Sequence, residues 1–138
     1  MTPGAVLVDS NVLLDVLTDD PRWSAWSEQA LARCADDGAL AINPIIYTEV
    51  SIRFGTIEDL EEALAPHLFE RLALPWEAAF LAGKCFLDHR RRGGRKVSPL
   101  PDFYIGAHAA VFNYRLLTRD ATRYSTYFPK LELIAPPS

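Results

Sequence analysis

The chain has 138 residues, of which 49% are hydrophobic and 23% are charged, and its formal net charge is −4. This length and apolar content predict one domain over residues 1–138, and the charge argues against binding nucleic acid through overall charge. No apolar run approaches the roughly 18 residues that cross a bilayer, and the N-terminus lacks the basic and apolar regions of a secretory signal. We therefore expect a cytoplasmic protein that does not bind membranes.

The first predicted strand is an apolar run that ends in an acid. Ala5 to Val8 lack polar alternation, which is typical of a strand buried on both faces of a sheet. Asp9 follows directly, and Ser10 or Asn11 can cap a helix that continues to Leu17. An acid at the carboxyl end of a first strand lies where α/β sheets build their active sites.

Helices and strands alternate along the rest of the chain. Helices are predicted from Pro21 to a glycine cap at Gly38, from Asn43 to Gly55, from Thr56 to Leu64, from Pro75 or Trp76 to Arg91, and from Pro101 to Asn113. Strands are predicted at 39–42, 115–118 and 131–134, and 69–74 fits either an extended segment or a helix. This alternation predicts an α/β fold with a parallel sheet of four or five short strands, flanked by helices.

Four acids occupy related places in these elements. Asp9 and Asp120 each follow an apolar strand, so a parallel sheet would bring them to one edge. Asp102 lies in the first turn of the helix that begins at Pro101, and Glu49 lies within the helix after the second strand. We therefore expect the four carboxylates to converge.

Converging carboxylates repel one another and raise each other's pKa unless a positive charge lies among them. A hard divalent cation such as Mg²⁺ or Mn²⁺ prefers oxygen ligands and removes that repulsion. Such a site can deprotonate a water molecule and stabilise charge on a phosphodiester oxygen. Asn11 and Thr118 lie beside two of the acids and could orient them by hydrogen bonding.

An acid at a strand end or helix start often serves only as a cap. Glu49 discriminates between the two interpretations, because it falls among the apolar residues Ile45, Ile46, Val50 and Ile52. A charge within a mainly apolar helix needs a partner. The four acids together therefore favour a metal site.

The four acids lie in four segments of the chain: Leu7 to Asp15, Tyr47 to Val50, Pro101 to Ala109 and Leu116 to Asp120. In their order and spacing these segments resemble the PIN-domain ribonucleases of the VapC toxin type. Tyr124 and Phe128 also resemble the end of that family's sequences. The chain has His108 where the family often carries a small residue.

The resemblance implies a PIN-like three-layer α/β/α fold and an endoribonuclease that uses Mg²⁺ or Mn²⁺. It implies that Asp9, Glu49, Asp102 and Asp120 are the catalytic, metal-binding acids, supported by Asn11 and Thr118. It also implies a homodimeric toxin that is neutralised by a small VapB-like antitoxin encoded alongside.

A basic segment leads into the helix of Asp102. It contains Arg90, Arg91, Arg92, Arg95 and Lys96 around two glycines. We predict that these residues hold RNA through its phosphates, which fixes position and not sequence. The alternatives are a solvated helix end, where arginines complement the helix dipole, and a contact for an acidic antitoxin tail.

Other residues are predicted to be mainly structural. His108 is expected to face away from Asp102, since six residues turn a helix by about 240°. Trp23 and Trp26 are expected in the core, although a part in a dimer surface stays open, together with residues 56–74. Asp15 could form a salt bridge.

Two other classes of function compete with the nuclease. A haloacid-dehalogenase-like phosphatase also has an aspartate after its first strand, but it needs a second acid where this chain has Asn11. A phospho-receiver domain is disfavoured as well, because the acidic pair and the late lysine that such a domain needs are absent from this chain. A module that only binds RNA or protein, with the acids retained for structure, is the non-enzymatic alternative.

Overall fold

The structure is a computed structural model that describes residues 4–93 and 100–137. Its strands are β1 (Val6–Val8), β2 (Leu40–Ile42), β3 (Glu70–Arg71), β4 (Arg115–Leu117) and β5 (Leu133–Ile134). Its helices are α1 (Ser10–Leu17), α2 (Ser24–Asp37), α3 (Pro44–Ser51), α4 (Ile57–Ala63), α5 (Trp76–Arg91), α6 (Leu100–Phe112) and α7 (Thr122–Ser125). The predicted α/β fold with a parallel sheet flanked by helices is confirmed, and the sheet has five strands where four or five were expected.

All strand pairs are parallel, in the order β3-β2-β1-β4-β5. The central strand β1 aligns Val6 with Leu40 of β2 on one side and with Arg115 of β4 on the other. Its three residues are fully buried, as the uninterrupted apolar run predicts for a strand covered on both faces. The carboxyl ends of β1, β2 and β4 therefore share one edge, where Asp9, Asn43 and Thr118 follow.

The helix boundaries differ from prediction where side chains compete with the helix. The Asp20 carboxylate accepts hydrogen bonds from the backbone N–H groups of Arg22 and Trp23, so residues 21–23 form a turn before α2. Helix α3 ends at Ser51 and not near Gly55, and Ile52 beyond it is 81% exposed. The apolar pattern past Ser51 thus does not mark a buried helical face.

Two glycines are needed because backbone or ring atoms approach them closely. At Gly38, which follows α2, a Cβ atom would lie 2.5 Å from the carbonyl oxygen of Gly4. Gly38 does follow the end of α2, but its backbone is extended and not left-handed. The prediction that it ends the helix as a left-handed glycine cap is therefore wrong. At Gly106 in α6, a Cβ would lie 2.4 Å from the Phe128 ring, so this glycine lets the end of the chain pack onto α6.

Positions 94–99, which lie between α5 and α6 in the sequence and include Arg95 and Lys96, are outside the described residues. Among the residues that are described, no helix is long and apolar enough to cross a membrane.

Candidate active site

The first acid, Asp9, lies directly after the central strand and is only 2% exposed. It occupies the N-cap position of α1, yet its side chain makes no capping hydrogen bond. The prediction that Ser10 or Asn11 caps this helix is therefore wrong. The Asp9 Oδ2 atom instead accepts hydrogen bonds from the Thr118 hydroxyl at 2.9 Å and the Tyr124 hydroxyl at 2.8 Å.

Glu49 is half-buried on α3 and is held by a residue of another helix. The hydroxyl of Ser10, the first residue of α1, donates to Glu49 Oε1 at 2.9 Å. Because Ser10 is the neighbour of Asp9, this bond ties α3 to the end of β1 and brings the second acid toward the first.

Asp102 lies in the first turn of α6 and is 9% exposed. The Tyr124 hydroxyl that donates to Asp9 also lies 3.4 Å from Asp102 Oδ1. One buried phenol thus bridges the carboxylates that follow β1 and begin α6. This hydroxyl stays a donor because burial, together with the charges of Asp9 and Asp102, raises the pKa of Tyr124.

Asp120 follows β4 at the more open side of the cluster, with 35% of its side chain exposed. Arg123 Nε lies 2.8 Å from Asp120 Oδ2, and Arg123 Nη1 lies 3.7 Å from Asp102 Oδ2. The Thr122 hydroxyl donates to the other Asp120 oxygen at 3.0 Å. The fourth acid is therefore joined to Asp102 through a guanidinium.

The electrostatics of the three inner acids reflect burial without enough positive charge. Burial raises the pKa of Asp9, and the hydrogen bonds from Tyr124 and Thr118 lower it by less. Burial raises the pKa of Asp102 to about 6, with a further contribution from the negative charge of Asp9. Burial also raises the pKa of Glu49, against the hydrogen bond from Ser10.

Asn11 and Thr118 lie behind the acids, in one hydrogen-bonded chain. Thr118 Oγ1 donates to Asp9 and accepts from Asn11 Nδ2 at 3.3 Å and from the backbone N–H of Asp120 at 3.1 Å. The Asn11 oxygen accepts from the backbone N–H of Arg119 at 3.2 Å. Because the Thr118 hydroxyl accepts these two hydrogen bonds with its lone pairs, its proton is directed to Asp9.

The donor set suits a hard divalent cation, since it consists of carboxylate oxygens oriented by hydroxyl groups. Within 4–93 and 100–137, no three His, Cys, Asp or Glu side chains already stand close enough to hold a metal ion. A cation would have to draw the carboxylates inward, and it would remove the repulsion that contributes to the raised pKa values of Glu49 and Asp102. The residues therefore fit such an ion in chemistry and charge.

The described part of the basic segment is exposed at the end of α5. Arg92 pairs with Asp88 at 3.2 Å and lies 5.4 Å from the Tyr127 ring centroid. Tyr127 in turn contacts Phe103, the neighbour of Asp102, with ring centroids 5.0 Å apart. Arg90 and Arg91 lie at the same helix end, whereas Arg95 and Lys96 lie outside the described residues.

His108 is a core residue, as expected, and contacts none of the acids. Its Nδ1 atom accepts a hydrogen bond from the Asn43 side-chain amide at 3.0 Å, and burial lowers its pKa to about 4. It is fully buried, and its Nε2 atom has no partner among the described residues. Because Asn43 also caps α3 by accepting from Ile46, this pair joins α3 to α6.

Sequence reasoning did not predict that Ser10, Tyr124 and Arg123 contact the acids. Ser10 was considered only as a helix cap, and Tyr124 only as part of a family-like ending. Their positions carry a weak signal, since Ser10 is adjacent to Asp9 and the pair Arg123-Tyr124 follows Asp120 within one helical turn. Only the folded chain shows that these side chains point to the acids.

The model of one protein family, described as PIN domain, matches residues 6–128. The chain belongs to the PIN domain family. This PIN domain matches none of the curated proteins. The predicted resemblance to the family is confirmed, and the phosphatase hypothesis is wrong because the chain belongs to a different family.

Several solved structures of VapBC and other toxin–antitoxin complexes share this fold. VapBC2 from Rickettsia felis, bound to a promoter DNA fragment, has a TM-score of 0.74 and 17% identity, covering 96% of this PIN domain and 99% of that chain. VapBC-1 from nontypeable Haemophilus influenzae has a TM-score of 0.72 and 16% identity, with 95% and 97% covered. A Klebsiella pneumoniae toxin–antitoxin complex has a TM-score of 0.70 and 22% identity, with 96% and 98% covered. At these identities the likeness shows the fold.

Proposed function

We propose that this PIN domain is a metal-dependent endoribonuclease and the toxin of a VapBC-type toxin–antitoxin pair. The observation that carries the proposal is the buried Asp9 carboxylate, which receives hydroxyl hydrogen bonds but makes no salt bridge within the described residues. Glu49 and Asp102 lie near enough for the charge of Asp9 to raise their pKa values. A buried carboxylate group of this kind is typical of a site that receives a cation.

The cation would be Mg²⁺ or Mn²⁺, held by Asp9, Glu49, Asp102 and Asp120. When bound, it supplies an acidified water and stabilises charge on a phosphodiester oxygen. Thr118 and Tyr124 both donate to Asp9 Oδ2, which fixes the rotation of that carboxylate. Ser10 does the same for Glu49. The chain thereby orients its ligands in advance, which is the protein's main part in such catalysis.

Substrate binding would use the basic segment. Arg92 extends toward Tyr127, which packs beside Phe103 at the start of α6. Phosphates held by Arg90, Arg91 and Arg92 would therefore lie on the approach to Asp102. Arg95 and Lys96 are proposed to bind phosphates as well, on their charge alone. An RNA substrate also agrees with a cytoplasmic location.

The neutralising partner would be a small VapB-like antitoxin. This proposal is supported by the toxin–antitoxin complexes that share the fold over nearly the whole chain.

A homodimer is proposed through an apolar row on α5. Trp76, Phe80 and Leu87 follow one another at helical spacing, with exposures of 87%, 69% and 39%. Gly83 lies in the same row and leaves open space at its Cβ position. A second copy packed antiparallel would bring the two rows together and bury them.

The nuclease proposal is tested with EDTA-stripped protein and unstructured RNA. We expect no cleavage in EDTA, cleavage on addition of Mg²⁺ or Mn²⁺, and a loss of about a hundredfold or more in Glu49→Gln. Glu62→Gln, at an exposed position beyond the site on α4, is the matched control and should cut like wild type. Cleavage that survives EDTA would overturn the metal proposal, and RNA binding without cleavage would favour the binding module.

The dimer proposal is tested by light scattering after gel filtration. Phe80→Glu places a charge in the middle of the row and should convert the dimer to a monomer. Ile52→Glu introduces the same charge at another exposed apolar side chain and should leave the dimer intact. A monomeric wild type, or a dimeric Phe80→Glu protein, would contradict the assignment.

A further inference from the structure

Arg123 occupies the outer side of the acidic cluster. It lies on the four-residue helix α7, with Nε 2.8 Å from Asp120 Oδ2 and Nη1 3.7 Å from Asp102 Oδ2. One planar guanidinium therefore spans two of the acids that would hold the cation. Arginine suits this bridging geometry because its donors form a rigid fork.

The charge of Arg123 extends to the other acids as well. It lowers the pKa values of Asp9 and Glu49, although burial raises both by more. Burial alone would lower the pKa of Arg123 itself, but Asp102, Asp120 and Asp9 together raise it. The guanidinium thus stays charged and already supplies part of what a metal ion would supply.

The Arg123 side chain is able to leave this position. It is 55% exposed, whereas the side chain of Asp102 is only 12% exposed. Moving the guanidinium into water requires only rotation of a long side chain, and its shorter ion pair, with Asp120, is between two partly exposed side chains and is therefore weak. A divalent cation carries twice the charge and coordinates the carboxylate oxygens directly.

We propose that Arg123 is a built-in counter-ion that competes with the metal for Asp102 and Asp120. The proposal rests on the metal site of the proposed function. In the metal-free protein Arg123 limits repulsion among the acids, and metal binding displaces it outward. The protein therefore holds its fold without metal, but binds metal more weakly than its carboxylates alone would allow.

The opposite role is also physically possible and gives the opposite result. If Arg123 only positions Asp120 for the metal, then its removal weakens metal binding. The sign of the change in affinity therefore decides between a competitor and a support.

The experiment is a titration of EDTA-stripped protein with Mn²⁺ alone, followed by calorimetry and by the spin resonance of free Mn²⁺. We expect Arg123→Gln to bind Mn²⁺ about three- to tenfold more tightly than wild type, the change given by losing a weak ion pair. Arg33→Gln removes the same charge from an exposed position on α2 and should bind like wild type. Equal or weaker binding by Arg123→Gln would overturn the proposal.

Thermal melting supplies a second measurement. Arg123→Gln should melt below wild type in EDTA, and saturating Mn²⁺ should close that gap. A gap that persists at saturating Mn²⁺ would overturn the competition. If the glutamine variant fails to fold, Arg123→Lys replaces it, because lysine keeps the charge but cannot bridge two carboxylates. Tighter Mn²⁺ binding by the lysine variant supports the proposal, and equal or weaker binding overturns it.

These outcomes are separate from those of the proposed function. If the wild-type protein binds Mn²⁺ but does not cut RNA, the proposed nuclease activity is overturned. The Mn²⁺ affinities of the Arg123 variants then still decide whether Arg123 competes with the metal. A wild-type protein that binds no Mn²⁺ would overturn both proposals.

Discussion

Asp9 and Asp15 are two equally buried carboxylates, each 2% exposed, at the start and within the same helix, α1. Asp15 is paired on both oxygens with Arg119, at 2.8 and 3.0 Å, and it accepts a third bond from the Ser27 hydroxyl at 2.9 Å. Asp9 receives hydrogen bonds only from uncharged hydroxyls among these side-chain contacts. The two acids therefore have the same burial but opposite charge compensation.

On the proposed function, this difference separates a structural acid from one that would bind the metal. A buried charge is tolerated when it is paired and hydrogen-bonded, as Asp15 is. Asp9 has no ion-pair partner in the part of the chain that the structure describes, and the surrounding fold holds its carboxylate in a buried position. The cation of the proposed function would supply the positive charge that is missing there. The exposed fraction alone does not distinguish Asp9 from Asp15, because it is the same for both.

The largest expected effect is on activity, from Asp9→Asn. The amide keeps the shape and can still accept from Thr118 and Tyr124, but it removes the buried charge. RNA cleavage should fall about a hundredfold or more, with a melting temperature equal to or above that of wild type. Retained cleavage, or a protein that unfolds, would place Asp9 with Asp15 as a structural acid.

Asp15→Asn should show the reverse pattern. It leaves the Arg119 guanidinium without its bidentate partner, so the free energy of unfolding in urea should fall by about 1–3 kcal/mol. Cleavage by the folded protein should stay within about threefold of wild type. Asp36→Asn, on the exposed side of α2, is the control and should change neither quantity.

A smaller effect is expected in the pH dependence of the metal-free protein. The pKa of Asp102 is raised from 3.8 to about 6, so its contribution to stability is full below pH 3.8 and is lost as the pH rises through about 6. Asp102→Asn avoids that loss. Relative to wild type in EDTA, its free energy of unfolding should rise by about 1–2 kcal/mol between pH 4.5 and 7.5. A constant difference across this range would show that Asp102 does not titrate there.

The central strands could be predicted because burial leaves a compositional signal. Val6 to Val8 and Leu116 to Leu117 are apolar runs, and the structure buries them completely. Strand β3 could not be predicted, because Glu70 and Arg71 are both exposed and polar. Only backbone pairing with β2 at the sheet edge makes them a strand.

For the site, sequence reasoning predicted from their positions in the elements that Asp9, Glu49, Asp102 and Asp120 converge at one edge of the sheet. It could not place Arg123 between Asp102 and Asp120, since α7 is too short to carry a periodic signal. It allowed a salt bridge for Asp15 but could not name the partner, because Arg119 lies far along the chain. Such compensation depends on tertiary contacts.

The position of β1 in the middle of the sheet has a consequence for local opening. Val6 to Val8 pair with strands on both sides, and the backbone N–H of Asp9 donates to Leu117 at 2.9 Å. The backbone N–H of Asp9 therefore becomes exposed only when the central strands separate, which is unfolding of the whole sheet, whereas the half-exposed side chain of Arg123 moves by rotation alone. Amide hydrogen exchange at Asp9 should therefore follow global unfolding. The Arg123 side chain, in contrast, can leave and re-enter the acidic cluster while the central strands stay paired.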